Sequence, residues 1–188
     1  MRETDFDARY RADPDPFEVA SSWYERRKES VVLACLARQR YTAAWDCAAG
    51  TGHLVHALAP RCERVLATDG AVTAVSIIGA RNAERPGVTA ELNTLPTVPP
   101  AATGCDLVIL AEILYYLPAQ ARGELLEALP ASAGEVLLVH WRHHADDAWL
   151  SGPAVHLEAG RALEAAGWTG RVHHVDADFV LDSWVRCP

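Results

Sequence analysis

Short apolar runs alternate with amphipathic segments along most of the chain, and this alternation predicts its secondary structure. The clearest run, 106–111, is continuously apolar after its first residue, which is typical of a strand in a parallel sheet covered on both faces. Similar runs predict further strands at 43–47, 65–68, 88–92, 136–140, 171–175 and 179–185. Helical periodicity predicts helices at 21–37, 54–59, 72–83, 118–129 and 153–166.

The alternation of strands and helices predicts an α/β fold, a Rossmann-like three-layer sandwich with right-handed crossovers. A chain of 188 residues is long enough for one domain with a substantial core and short for two. We therefore expect a single domain over 1–188, in which residues 1–17, polar and containing Pro14 and Pro16, are irregular. Residues 20–38 are expected to form an N-terminal capping helix.

A tight turn joins the first strand to the following helix. Its pattern is D-x-A-x-G-x-G, made by Asp46, Ala48, Gly50 and Gly52. Small residues let a ligand lie against the backbone, and the helix N-terminus beyond presents unpaired N–H groups. An acid at the end of the strand suits a cationic ligand and repels a phosphate. This acid and the missing G-x-G-x-x-G disfavour an NAD-dependent oxidoreductase.

A second acid, Asp69, ends the second strand, 23 residues after Asp46. An acid at the tip of this strand can accept hydrogen bonds from both hydroxyls of a ribose. Gly70 follows it directly, and the stretch 92–95 would flank the base. The two acids on either side of a glycine turn and a helix predict a nucleoside site.

The segment after strand four is the first of two that carry candidate chemistry. Ligands of open α/β sheets bind beyond the carboxyl ends of the strands, which places Glu112, Tyr115 and Tyr116 at the cleft. Glu112 could orient an amino group or take its proton, and the tyrosines could line a pocket for a cationic amine or sulfonium. The alternative is that both tyrosines are ordinary half-buried rings.

The segment after strand five is the second segment that carries candidate chemistry. His140 is the favoured general base, because an imidazole with a pKa of ~6.5 accepts a proton near neutrality. Arg142 could clamp a carboxylate or phosphate. Metal binding by His140, His143 and His156 has no recognised ligand spacing, so no metal is expected. The predicted catalytic residues are His140, Glu112 and Tyr116, and the predicted substrate-binding residues are Tyr115, Tyr116, Trp141, Arg142 and His143.

The first turns of the N-terminal helix hold Trp23, Tyr24 and Arg27. One interpretation is a lid over the cofactor, in which Arg27 or Tyr24 meets a carboxylate and Trp23 excludes water. The other is that Trp23 packs the helix on the sheet and the charges are solvated.

The 46–52 turn resembles the first motif of class I S-adenosylmethionine (SAM)-dependent methyltransferases, although Ala48 stands where many members have glycine. Together with segments 22–28, 112–117, 140–143 and 150–156, it resembles the nodulation-protein-S-like (NodS-like) methyltransferases. The resemblance implies SAM as cofactor, S-adenosylhomocysteine (SAH) as product, and a seven-stranded, mostly parallel sheet whose last strand runs antiparallel beside the fifth. The expected cofactor-binding residues are Trp23, Tyr24, Arg27, Asp46, Ala48, Gly50, Gly52, Asp69, Gly70, Asn93, Thr94, Leu95 and Glu112.

Composition narrows the partners. The formal net charge is −8 and no Lys/Arg cluster lies on a predicted face, which disfavours nucleic acid. No apolar run of ~18 residues and no secretory start is present, so we expect a cytoplasmic protein that does not bind membranes. The five cysteines are scattered without C-x-x-C, which indicates neither a zinc knuckle nor a disulfide framework. The expected partner is a small-molecule substrate. The composition is compatible with either a monomer or a homodimer.

Taken with these observations, the resemblance implies a methyltransferase that modifies a small-molecule amine, such as an amino sugar or a secondary metabolite. The nearest alternative is O-methylation of a hydroxyl or acid, for which His140 could serve as the stronger base required. Another is a nucleoside-binding module without catalysis. Sequence alone does not separate the amine from the hydroxyl.

Overall fold

The computed structural model describes residues 5–186, so Cys187 lies outside it. The helices are α1 (Phe6–Ala12), α2 (Trp23–Cys35), α3 (His53–Leu58), α4 (Val72–Arg81), α5 (Ala119–Glu127) and α6 (Gly152–Ala165). The strands are β1 (Tyr41–Asp46), β2 (Cys62–Asp69), β3 (Val88–Leu92), β4 (Leu107–Ala111), β5 (Glu135–Trp141), β6 (Thr169–Val175) and β7 (Phe179–Val185). None of the helices in this part of the chain has the length and apolarity needed to cross a membrane.

The seven strands form one sheet in the order β3-β2-β1-β4-β5-β7-β6. The pairs from β3 to β5 are parallel, whereas β7 runs antiparallel to both β5 and β6. The predicted Rossmann-like α/β sandwich and the antiparallel strand beside the fifth are confirmed. Because parallel strands share a direction, the segments that follow β1, β2, β4 and β5 meet at one edge of the sheet.

The sheet is covered on both faces, as its continuously apolar central strands require. Successive side chains of a strand point to opposite faces, so each central strand contributes to two apolar clusters. One cluster joins Trp45, Val108, Leu110 and Leu138 to residues of α5 and α6. The other joins Ala44, Leu107, Ile109, Leu137 and Val139 to Val32 of α2 and Leu58 of α3.

The expectation that residues 1–17 are irregular is wrong for 6–12, which form α1. The Asp5 side chain caps this helix by accepting a hydrogen bond from the Ala8 N–H. Its packing rests on Phe6 and the buried Tyr10, one turn apart. Two apolar residues in a seven-residue helix are too few to produce a recognisable periodicity, which is why the sequence pattern did not reveal it. The capping helix predicted over 20–38 is present as the shorter α2.

Candidate active site

The glycine turn has the backbone that its sequence requires. Gly50 and Gly52 have φ angles of +55° and +77°, in the left-handed region that glycine adopts without strain. A Cβ at Gly52 would lie 3.2 Å from the Ile78 side chain, and one at Gly50 would lie 3.1 Å from the Tyr10 hydroxyl oxygen. Ala48 keeps a negative φ, so its methyl group is tolerated where related motifs carry glycine.

The two predicted acids lie at the carboxyl ends of neighbouring strands. Asp46 is buried, and its Oδ1 has no hydrogen-bond partner among the described residues. Burial, followed by the charge of Asp69, raises the pKa of Asp46 to about 7. Asp69 accepts hydrogen bonds from the N–H groups of Ala71 and Gly50, both at 2.9 Å, although burial still raises its pKa. A cation bound beside this buried carboxyl group would stabilise its ionised form.

The residues predicted to flank a base lie beside Asp69. The Asn93 N–H donates to the Asp69 carbonyl oxygen at 3.0 Å. A Cβ at Gly70 would lie 3.9 Å from both the Asn93 carbonyl oxygen and the Thr94 hydroxyl oxygen. Leu95 follows and is half-buried. The structure therefore brings together Gly70, Asn93 and Thr94, which are separate in sequence.

Glu112 occupies a strained position at the end of β4. Its φ angle is +53°, in a region that costs a non-glycine residue roughly 1–2 kcal/mol. Its N–H donates to the Val139 carbonyl oxygen at 2.9 Å. Its Oε2 accepts hydrogen bonds from the Trp141 N–H at 2.8 Å and from the Tyr115 hydroxyl. Strain at such a residue persists where surrounding contacts fix its conformation, and it often accompanies a functional site.

Lys28 is a central residue of the site that the sequence interpretation missed. Its buried ammonium donates to Glu112 Oε1 at 2.6 Å and to Glu25 Oε1 at 2.8 Å. The ammonium also lies 4.8 Å from the centre of the Tyr24 ring. Although burial alone lowers the pKa of Lys28, the two carboxylates hold it above its ordinary value. The available signal was its spacing, since Lys28 shares a helical stripe with Tyr24 and Val32.

The predicted lid residues of α2 have other partners. Trp23 is 68% exposed, and Arg27 donates to Asp176 Oδ2 at 2.6 and 3.0 Å. Arg27 is thus engaged in an ion pair, and the contact predicted between Arg27 or Tyr24 and a cofactor carboxylate stays a prediction. Tyr24 packs edge-to-face on Phe179, and its hydroxyl is buried without a partner among residues 5–186. The buried cation facing the cleft acid is therefore Lys28 and not Arg27.

The two adjacent tyrosines differ in exposure. Tyr115 is buried and its hydroxyl donates a hydrogen bond to Glu112, so it is not part of an exposed surface. Tyr116 is half-buried, and its ring contacts the rings of Tyr115 and Phe6 edge-to-face, with centroids 4.6 and 5.1 Å apart. Of the pair, Tyr116 is the more exposed.

The structure corrects the prediction that His140 is a general base. The residue is completely buried. Its Nε2 accepts a hydrogen bond from the Leu114 N–H at 3.1 Å, and its Nδ1 lies 2.9 Å from His156 Nε2. Burial, followed by the proximity of His156, lowers the pKa of His140 well below its ordinary value. With both ring nitrogens engaged, His140 has no lone pair for a substrate proton.

The other residues after β5 are tied to their surroundings. Arg142 donates to the Asp176 carbonyl oxygen at 2.8 Å, which turns it toward the β6–β7 connection. His143 is exposed, stacks beside Trp141 and lies 3.4 Å from Asp178. Over residues 5–186, no three His, Cys, Asp or Glu side chains are grouped as a metal site would require.

Helix α1, which the sequence interpretation missed, bridges the cleft. Asp7 accepts a hydrogen bond at 2.8 Å from the Thr73 N–H at the start of α4, on the nucleoside side. Arg9 pairs with Asp147 at 3.3 Å on the opposite side, next to the contact between Phe6 and Tyr116. Between these ends, Tyr10 lies over Gly50. The helix thus contacts the start of α4 at one side and Tyr116 and Asp147 at the other.

Comparison with known proteins gives a direct indication of the family. No family model and no curated protein matches the chain. Among solved structures, a Pseudomonas syringae protein described as a methyltransferase is 32% identical, with a TM-score of 0.75, and the match covers 88% of this chain and 100% of that one. The chain belongs to the methyltransferases.

Two more distant SAM-dependent methyltransferases share the fold. The N-methyltransferase NodS from Bradyrhizobium japonicum WM9, solved with SAH, is 17% identical over 99% of both chains, with a TM-score of 0.81. A SAM-dependent methyltransferase from Aquifex aeolicus is 15% identical, with a TM-score of 0.69, over 96% of this chain and 98% of that one. Both matches show that this chain has the fold of SAM-dependent methyltransferases. The buried Asp46 at the end of β1 suits a ligand that carries positive charge.

Proposed function

We propose that this methyltransferase transfers the methyl group of SAM to the nitrogen of a small-molecule amine, as a NodS-like enzyme. The observation that carries the proposal is the cluster formed by Glu25, Glu112 and the ring of Tyr24. This cluster already holds one ammonium, that of Lys28. With both carboxylates ionised, the cluster and Lys28 together keep one negative charge, which favours a second cation.

The roles proposed for the cofactor site follow from its geometry. Asp46 would face the cationic methionine end, and Asp69 would accept the ribose hydroxyls in place of its present N–H donors. Gly70, Asn93 and Thr94, with Leu95, would flank the adenine. When bound, SAM supplies an electrophilic methyl group on a sulfonium.

The remaining tasks fall to residues of the acceptor side. Methyl transfer needs the nucleophile aligned and one proton removed, and holding the partners in position accounts for much of such rate enhancement. Glu112 would orient the amine nitrogen and take its proton, and the half-buried Tyr116 would line the pocket. Helix α1 would exclude water by lying across the opening.

An amine is favoured over a hydroxyl by the position of His140. A neutral amine is nucleophilic without further activation, whereas a hydroxyl needs a stronger base. The residue predicted to be that base is sealed in the core with both nitrogens engaged. The fold shared with NodS, an N-methyltransferase, agrees with this preference.

The test uses matched acceptors that differ only in the reacting atom. Glucosamine and glucose form such a pair, and each would be incubated with SAM and assayed for methylated product by mass spectrometry. We expect amines to be methylated and the matched hydroxyl compounds to stay unmodified. Methylation of hydroxyl compounds in preference to amines would overturn the proposal, and so would the absence of turnover across a broad amine panel.

A first mutational prediction concerns Glu112. Glu112→Gln keeps the size of the side chain but removes the charge and the proton-accepting oxygen. We expect kcat for an amine to fall roughly 100-fold or more, while the Kd for SAM changes less than about threefold. Glu124→Gln on the exposed surface of α5 is the matched control and should leave both constants unchanged. Equal kinetics in the two variants would contradict the role of Glu112.

A further inference from the structure

A chain of hydrogen bonds runs from the turn after β4 to the exposed face of β6. The Leu114 N–H donates to His140 Nε2 at 3.1 Å, and His140 Nδ1 lies 2.9 Å from His156 Nε2. His156 Nδ1 lies 2.6 Å from Asp182 Oδ2, and the other oxygen of Asp182 lies 2.6 Å from His173 Nδ1. His140 and His156 are buried, whereas His173 is exposed. The chain therefore links α6 and three strands to one backbone amide.

The direction of this chain is fixed by its first donor. A backbone N–H can only donate, so His140 Nε2 must be unprotonated and its proton must lie on Nδ1. His156 Nε2 then has to accept, which places the His156 proton on Nδ1, facing Asp182. Burial lowers the pKa of His140 and favours its neutral form. Although burial alone raises the pKa of Asp182, its contacts with His156 and His173 hold it low, as an ionised acceptor requires.

The chain acts on the part of the site that carries Glu112. Leu114 begins the short turn Leu114–Tyr116, two residues after the strained Glu112. Three consecutive residues of β5 hold this segment. The Val139 carbonyl oxygen accepts the Glu112 N–H, the His140 ring accepts the Leu114 N–H, and the Trp141 N–H donates to the Glu112 carboxylate.

The inner end of this hydrogen-bond chain disfavours proton transfer along it. The group next to the acceptor side is a backbone amide, which does not release its proton at neutral pH. Tyr115 contacts the His140 ring edge-to-face, with centroids 5.1 Å apart, but its hydroxyl bonds to Glu112. The chain can hold the segment in place, but it offers no route for the proton of a substrate.

We infer that His140, His156 and Asp182 are positioning residues that hold the 112–116 segment in its catalytic conformation by fixing the tautomers of two buried imidazoles. Asp182 fixes His156, His156 fixes His140, and His140 provides the acceptor for Leu114. The catalytic role of the 112–116 segment rests on the proposed function, since Glu112 contributes to catalysis only if it faces the acceptor. The tautomers themselves do not depend on the acceptor.

The first test reads the tautomers in the full chain. Long-range proton–nitrogen NMR spectra of protein labelled with ¹⁵N-histidine distinguish Nδ1–H, Nε2–H and imidazolium forms. We expect His140 and His156 to be Nδ1–H between about pH 6 and 8, with and without SAM. A proton on Nε2 of either ring, or an imidazolium in that range, would overturn the inference. Amine methylation could still be correct in that event, so the two failures are distinguishable.

The second test uses variants that keep an aromatic or amide side chain of similar size. His156→Phe removes the acceptor for His140, so we expect the Leu114 amide to exchange with solvent at least tenfold faster, with SAM affinity unchanged within about twofold. His140→Gln keeps an oxygen near the position of Nε2 and should preserve protection of that amide, whereas His140→Phe should not. His173→Gln alters only the exposed end and is the control. Equal exchange in all four variants would overturn the inference, and the tautomer spectra decide the question if a variant does not fold.

Discussion

The carboxyl group of Asp46 has a pKa of about 7 because it is buried and because Asp69 lies nearby. A cation bound beside Asp46 stabilises its carboxylate form. In a protein molecule whose Asp46 is still protonated, binding of the cation must therefore release that proton. Below pH 7, where most molecules are protonated, we predict that SAM affinity rises roughly tenfold per pH unit and then levels off above that pH.

Calorimetric titration with SAM from pH 5.5 to 8 checks this, and buffers with different ionisation heats count the released protons. Asp46→Asn cannot titrate, so its affinity should vary little over the same range. A flat profile in the natural protein would mean that Asp46 does not meet the charge of the cofactor.

The tight turn between β1 and α3 was predictable because its signal is local. Gly50 and Gly52 in that turn have the left-handed φ angles that glycine adopts without strain. Lys28 and His140 depend on packing between distant segments. Lys28 meets a partner 84 residues away, and His140 is enclosed by α6 and β7. A histidine after a buried strand gives the same sequence pattern whether its ring faces the cleft or the core. The pattern therefore predicts a base in both cases.

Among the elements, α1 is held across the cleft by weak contacts and should govern the release of the cofactor. The Arg9–Asp147 ion pair is partly exposed, with side chains 38% and 29% accessible, so its loss costs no more than about 1 kcal/mol. We predict that Arg9→Ala raises the SAM dissociation rate by up to about fivefold, measured by stopped-flow tryptophan fluorescence. The control is Arg40→Ala, which removes an exposed charge from the residue that precedes β1. This variant should leave the SAM dissociation rate unchanged. Equal rates in both variants would exclude this restraint.

The start of α6 packs tightly against the end of β5. A Cβ at the buried Gly152 would overlap the Trp141 carbonyl oxygen, whereas one at the exposed Gly79 in α4 would meet nothing within 4 Å. We predict that Gly152→Ala lowers the free energy of unfolding by roughly 1–3 kcal/mol. Gly79→Ala should raise it by up to about 1 kcal/mol, because alanine favours the helix. Urea denaturation measures both, and a stabilised Gly152→Ala would contradict the predicted overlap.

At this scale the sequence predicted well wherever an element is long and strongly patterned. The bounds of β3 and β7 agree with prediction, and most others differ by one to three residues at an end. Helix α1 was missed because its function in the fold rests on single contacts of Phe6, Asp7, Arg9 and Tyr10 with distant segments. Contacts of that kind leave no periodic signal.

For the whole molecule, ligand binding should appear as thermal stabilisation. A ligand at 100 times its Kd that binds only the folded state adds about 2.7 kcal/mol. In a chain of this size that corresponds to a rise in Tm of roughly 5–10 °C. We predict such a rise with SAM and with SAH, and none with NADH at equal concentration, by differential scanning calorimetry. A comparable rise with NADH would contradict the cofactor assignment.

The overall architecture was predictable because it follows from the alternation of strands and helices and from the hairpin formed by β6 and β7. The identity of the acceptor was not. In the proposed site it depends on side chains contributed by α1, α2 and the segments after β4 and β5, whose relative positions are fixed only when the sheet is assembled.

The position of β7 between β5 and β6 has a consequence for how the enzyme is made. The residues of the proposed cofactor site, from Asp46 to Leu95, are synthesised long before β7, which brings Asp182 to His156. Domains generally fold as units, and β7 is an interior strand of this one sheet. A nascent chain that lacks β7 therefore has neither a complete sheet nor the support of its 112–116 segment, so we expect both to form only after the last strand has left the ribosome.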